Sequence, residues 1–154
     1  LVTHTVDIDE EFLMRDLEKR INESCERAYK IVNNSFLKSD SYYTDYMNMR
    51  KNQFNIIKKL RSHFEKFYMS FEQTHMISKF TKSVADQIKD TNDCKELLEE
   101  LEVLKNDFKK MALPKTREEF ENRAQLLQFL NDMEDLLTMK RNFVLNYNLF
   151  NNIK

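Results

Sequence analysis

The sequence predicts an all-α protein, an antiparallel bundle of four to five long helices. Three observations carry that prediction. Apolar residues recur in steps of three and four through almost the whole chain, the stripe pattern of amphipathic helices. Glycine is absent and proline occurs once among 154 residues, so the tight turns of β-hairpins lack the residues they need. Ser70/Gln73, Asp93/Glu96 and Thr116/Glu119 each have the spacing of a capping box, in which a short polar side chain starts a helix and an acid or amide three residues on completes the cap.

The first helix reads from Ile8, with Phe12, Leu13, Leu17, Ile21, Cys25, Ala28, Val32 and Phe36 on one stripe. Asp7 and Asp9 are candidate caps, and Asp9, Glu10 and Glu11 suit the positive end of the helix dipole. Ser39-Asp40-Ser41 is a break. A second stripe runs through Tyr43, Tyr46, Met47, Phe54, Ile57, Leu60, Phe64, Phe67 and Tyr68. The Ser70/Gln73 spacing marks a kink or a restart, and Met76, Ile77, Phe80, Val84 and Ile88 follow it. Pattern alone leaves Tyr43 to Asp90 open as one bent helix or two.

Asp90 to Glu96 is the next break, followed by a shorter helix with Leu97, Leu98, Leu101, Leu104 and Phe108, ending near Met111. Pro114 cannot continue that helix and disfavours helical geometry at Leu113. Thr116 then caps a long helix whose stripe runs through Phe120, Ala124, Leu127, Leu130, Leu137 and Val144. The one proline therefore separates a short helix from a long one. The polar tail from Asn146 is expected to fray. No repeat, low-complexity segment or internal linker interrupts the chain, which reads as a single helical domain over residues 1–154.

Composition narrows the function classes. With 41% hydrophobic and 33% charged residues the chain reads as a helix-rich globule. Without glycine, the standard dinucleotide-binding and phosphate-binding loops and the nucleophile elbow are excluded. A net charge of −1, from 25 basic and 26 acidic residues, calls for no nucleic-acid partner. Cys25 and Cys94 are too few and too far apart for a disulfide framework or a zinc motif and read as reduced thiols. No run approaches a membrane span and no signal peptide is visible. The chain opens on Leu1 rather than Met, which leads us to expect a piece of a longer protein.

Candidate chemistry is sparse. His4 falls in an N-terminal segment expected to be disordered, while His63 and His75 are helical. Glu72 and His75 share a helix face at the spacing used by di-iron bundles, but those bundles use two such pairs and two more glutamates, so a polar surface is the expectation. Glu99, Glu100, Glu102, Glu118, Glu119 and Glu121 sit in charged runs explained by capping and solvation. No nucleophile has a base beside it, so no catalytic, metal or cofactor-binding residue is assigned, and no cofactor is expected. Arg50, Lys51, Lys58, Lys59, Arg61 and Lys66 read as the solvated face of the second helix. The 12 Phe, 6 Tyr and 8 Met are a heavier load. Phe64, Phe67, Tyr68 and Phe71, with Met69 and Met76, fit either a thick core or a pocket between helices for an apolar ligand, with core the default.

Tyr46 to Arg61 (YMNMRKNQFNIIKKLR), Tyr68 to Ile88 (YMSFEQTHMISKFTKSVADQI) and Met111 to Leu137 (MALPKTREEFENRAQLLQFLNDMEDLL) resemble the C-terminal soluble domain of the bacterial putative aromatic acid exporter family. The resemblance covers about Asp7 to Val144, and Pro114 to Asp132 is its most specific part. It implies a helical bundle on the cytoplasmic side of the cell membrane, preceded in the same chain by a membrane region of several helices that is absent here. It implies export of aromatic carboxylic acids by the whole protein. It brings no established site residues.

The leading expectation is a non-enzymatic domain of such an exporter, with a regulatory, oligomerisation or substrate-sensing role and with homo-oligomerisation or an aromatic carboxylic acid as further partners. Sensing would need an apolar slot and a cation for the carboxylate. Arg50, Arg61, Arg117 and Arg123 are candidates, and the sequence privileges none. The alternatives are a soluble helical protein-interaction module and, behind it, a metal-dependent bundle enzyme.

Overall fold

The computed structural model describes residues 3–34, 41–65, 71–89 and 92–151, with the side chains of 3–9, 71 and 149–151 outside the description. It is an all-α bundle of five helices: α1 (Thr3–Asn34), α2 (Ser41–Phe64), α3 (Phe71–Gln87), α4 (Lys95–Lys110) and α5 (Arg117–Asn151). Among the described residues there is no strand. Two helix ends depart from the sequence reading, and the stretch that pattern leaves open resolves into two helices. α1 begins at Thr3, ahead of Ile8, so His4 lies inside the helix. Tyr43 to Asp90 is divided between α2 and α3, and the expected cap Ser70 lies outside the described residues. α5 continues to Asn151 through the stretch expected to fray.

The chain divides into two compact units, residues 1–54 and 55–154. In the first, Cys25, Ala28, Met49 and Phe54 are buried. The Cys25 thiol lies 3.6 Å from the Met47 carbonyl, and the Tyr29 hydroxyl donates to Asn48 Oδ1 at 3.2 Å. Phe12, Leu13 and Leu17, placed on the core stripe by their spacing, are exposed.

The second unit holds the larger core. Ile77, Phe80 and Val84 of α3 meet Leu97, Leu101 and Leu104 of α4 and Leu126, Phe129 and Leu137 of α5. Leu60 from the end of α2 joins them, and Phe64 packs edge-to-face on Phe129 with centroids 4.8 Å apart. Side-chain pairings fix the helix directions. Gln73 reaches Met111 and Ser83 reaches Glu100, so α3 and α4 are antiparallel. Asp93 pairs with Arg141 and Lys105 with Glu134, so α4 and α5 are antiparallel as well.

The two turns of this unit are built differently. Between α3 and α4, the Asn92 amide donates to the Gln87 carbonyl at 2.8 Å and its Oδ1 accepts the Cys94 N–H at 2.7 Å. Cys94, not Asp93, is the N-cap of α4, in the left-handed region at φ 60°. In a chain without glycine, a residue with a Cβ must carry that conformation, at a cost of about 1–2 kcal/mol. Asp93 is instead split between the Lys95 N–H at 3.1 Å and Arg141 at 3.0 Å, which displaces the expected Asp93/Glu96 box. Between α4 and α5 the expected cap forms. Thr116 Oγ1 accepts the Glu119 N–H at 3.1 Å, and Glu119 Oε2 reaches back to the Lys115 N–H at 2.6 Å. Pro114 lies between the helices as their separator.

Candidate functional site

The antiparallel register that sets Lys105 beside Glu134 carries the end of α4 opposite the region of Leu127. The first turns of α5 therefore run past α4 and lie against the turn Met111–Lys115. A cavity of about 440 Å³ opens against their outer side. Its walls are Phe108 of α4, Leu113 and Pro114 of the turn, and Phe120, Ala124, Leu127 and Leu130 of α5. Lys105, Lys109 and Arg123 supply its positive charge. A second cavity of about 420 Å³ is more polar than the first, lined by Gln73 of α3, Ala112, Lys115, Glu119 and Asn122, and it shares Leu113 and Arg123 with the first as a common wall.

This arrangement corrects part of the sequence reading. Phe120, Ala124 and Leu127 were placed on the core stripe of α5. The buried face instead runs through Leu126, Phe129, Leu130, Met133 and Leu137, while Phe120 is 64% exposed and Leu127 49%. Three apolar residues on the outer side of a helix are costly to hydrate unless something covers them. Phe108 is buried, and Leu130 forms the fully buried floor of the slot, so the cavity ends against a closed core.

The four candidate arginines separate clearly. Arg50 lies over the Tyr46 ring at 5.5 Å and donates to Gln53. Arg61 pairs with Glu65 at 3.7 Å, and Arg117 with Glu121 at 2.8 Å. Arg123 is half-buried on the common wall, and among the described residues no side chain pairs with it. Of the two lysines that line the slot, Lys105 is nine-tenths buried and its ammonium is taken by Glu134 at 2.6 Å. Lys109 is exposed at the rim.

The other sequence candidates are dispersed. Glu72 and His75 are both exposed, and among the described residues no three His, Cys, Asp or Glu gather as metal ligands. His63 Nε2 lies 3.3 Å from Asp132 Oδ2. Asp132 is buried, its Oδ1 accepts from Gln128 at 3.0 Å, and its Oδ2 meets no donor in good hydrogen-bond geometry. Lys51, Lys58 and Lys59 are exposed, as a solvated face requires. Phe67, Tyr68, Met69 and the Phe71 side chain lie outside the described residues. Beside Phe64 a groove of about 510 Å³ runs along α3, lined by Thr74, Ser78, Thr81 and Lys82, and it holds no arginine.

Cys94 is fully buried, and burial pushes its thiol above the ordinary value of 9.0, against the opposing pull of the Lys140 ammonium. A neutral thiol inside the core is a poor nucleophile. Sequence reasoning missed the positions of Lys105, Lys109 and Glu119 at these cavities. The one available signal was the pair Phe120 and Leu127, seven residues apart on the flank of the denser core stripe.

Comparison with known proteins places the chain in a family. Over residues 1–141 the chain matches the family described as the putative aromatic acid exporter C-terminal domain, and it belongs to that family. It is also similar to the uncharacterized protein YqjA of Bacillus subtilis (strain 168), at 34% identity over 123 residues. That match takes in 80% of this chain and spans 38% of the relative's length. No solved structure matches. Among the described residues no helix is long and apolar enough to cross a membrane.

Proposed function

We propose that this domain is non-enzymatic and senses the aromatic acids that the whole exporter would carry, from the cytoplasmic side, downstream of a membrane region in the same chain. The aromatic ring would enter the slot between α4 and α5, and the carboxylate would pair with Arg123. The observation that supports this reading is the state of Arg123. It is half-buried beside an apolar slot and has no side-chain partner among the described residues, while Arg50, Arg61 and Arg117 are engaged. A guanidinium held at such a wall offers a two-pronged donor to a carboxylate.

An aromatic acid of about ten non-hydrogen atoms, at roughly 0.5 kcal/mol each, would bind with Kd on the order of 10⁻⁴ M. Titration of the chain with benzoate or 3-phenylpropanoate, followed by NMR, reaches that range. Arg123→Ala should weaken binding about tenfold, and Arg117→Ala should leave it unchanged. Absence of shifts at millimolar ligand, or equal losses in both variants, would remove the sensing role.

A second reading, a protein-interaction surface, is favoured by the exposure of Leu113 at 85% beside Phe120 and Leu127. Light scattering distinguishes it: self-association that Leu113→Ser or Phe120→Ser abolishes would assign the face to a second copy.

A further inference from the structure

The proposed sensing slot has a neighbour that a plain aromatic acid would leave unused. We propose that the two cavities together form a site for an aromatic α-amino acid, with the ring in the apolar slot, the carboxylate on Arg123 and the ammonium on Glu119. This inference rests on the reading of the slot as an aromatic-acid site.

Glu119 and Arg123 stand four residues apart on α5, with the acid nearer the N-terminus. That order is the favoured one for an ion pair along a helix. Elsewhere in the chain the same order closes: Glu11 meets Arg15 at 3.6 Å and Asp16 meets Arg20 at 2.8 Å. Arg117 and Glu121, beside the site and in the reverse order, also close at 2.8 Å. Glu119 and Arg123 do not. The Glu119 carboxylate turns back and spends Oε2 on the Lys115 N–H, while Arg123 faces both cavities. The box that starts the helix thus holds the acid away from its natural partner. It leaves Oε1 and a guanidinium as separated opposite charges on one wall.

Separated charges of opposite sign match a zwitterion. An α-amino acid head presents a carboxylate and an ammonium on adjacent atoms, and each would find its complement here. A carboxylate alone would gain from Arg123 and leave Glu119 as a repulsive neighbour. The apolar slot adjoining the same arginine then takes the side chain, and its Phe108, Pro114 and Phe120 walls suit a flat ring. Glu119 is exposed, so water screens its attraction and the expected selectivity is moderate.

The test compares three ligands of one skeleton on the 154-residue chain by calorimetry: phenylalanine, 3-phenylpropanoate, which lacks the ammonium, and phenethylamine, which lacks the carboxylate. Phenylalanine is expected to bind about tenfold tighter than either. Glu119→Gln should weaken phenylalanine and, by removing a repulsive charge, slightly tighten 3-phenylpropanoate, so that the two bind alike. Gln at this position still caps the Lys115 N–H, so α5 keeps its start. If 3-phenylpropanoate binds as tightly as phenylalanine, the amino-acid proposal fails while the slot stands. If phenylalanine is preferred but Glu119→Gln leaves that preference intact, the placement of the ammonium is wrong and the proposal fails. If none of the three binds, the slot itself falls with it.

Discussion

Leu127 and Leu130 are both leucines of α5, less than one turn apart, and the structure assigns them opposite consequences. Leu130 is 0% exposed and packs in the core of the second unit, whereas Leu127 is 49% exposed on the slot wall. Truncating a fully buried leucine to alanine costs the lost transfer free energy plus the cavity left behind, about 3–4 kcal/mol. That is a large fraction of a total stability of roughly 10 kcal/mol and corresponds to a fall in Tm of about 10 °C for a chain of this size. Leu127→Ala exposes no new core and forfeits only the covered half of the side chain, about 1 kcal/mol or less. Its effect should fall on ligand binding, a severalfold loss for 3-phenylpropanoate. Urea and thermal melts followed by far-UV circular dichroism measure both variants, and amide exchange in α4 and α5 reports on the unit that carries them. A loss of 2 kcal/mol or more for Leu127→Ala would mean that the outer side of α5 is covered in solution. The open slot, and every statement built on it, would then be refuted.

Three further outcomes are expected. Burial raises the Cys94 pKa, so the folded chain holds that proton more tightly than the unfolded one; the resulting stability is complete below pH 9.0, the ordinary thiol value, and declines as pH rises from there towards the raised folded value. Melts between pH 8 and 11 should show this slope, Cys94→Ala should abolish it, and iodoacetamide should label Cys94 in the native chain at least about a hundredfold more slowly than in urea. His63→Leu removes the 3.3 Å imidazole contact to the buried Asp132 carboxylate and should cost about 1 kcal/mol; a cycle with Asp132→Asn and the double variant checks it, and additivity would show that the contact carries no energy. Thr116→Ala removes the cap on the Glu119 N–H and should destabilise by about 1 kcal/mol in urea melts, while Thr116→Ser should be close to neutral.

What the sequence made legible was whatever depends on neighbouring residues. The steps of three and four gave the helices, Thr116 and Glu119 gave the start of α5, and Pro114 gave its separation from α4, because these interactions close within one or two turns. Asp93 was misread because its spacing to Glu96 is local while its actual partner, Arg141, lies on another helix. Phe120, Ala124 and Leu127 were misread for a related reason. Periodicity says that a face is apolar, but what covers that face depends on where the neighbouring helix ends. The privileged position of Arg123 was invisible for the same reason, since four arginines look alike until their partners are placed.

The position of the slot follows from how the chain solves two separate problems. The core must close, and it does: Leu126, Leu130 and Leu137 are fully buried beneath the first and middle turns of α5. The chain must also reverse between α4 and α5, and without glycine it does so with a proline-stiffened turn held by a reciprocal cap. A proline turn has fewer conformations to lose than a glycine turn, so a ligand seated against Leu113 and Pro114 meets a wall that is already ordered. The slot lies outside the closed core, and leaving it open removes little from stability.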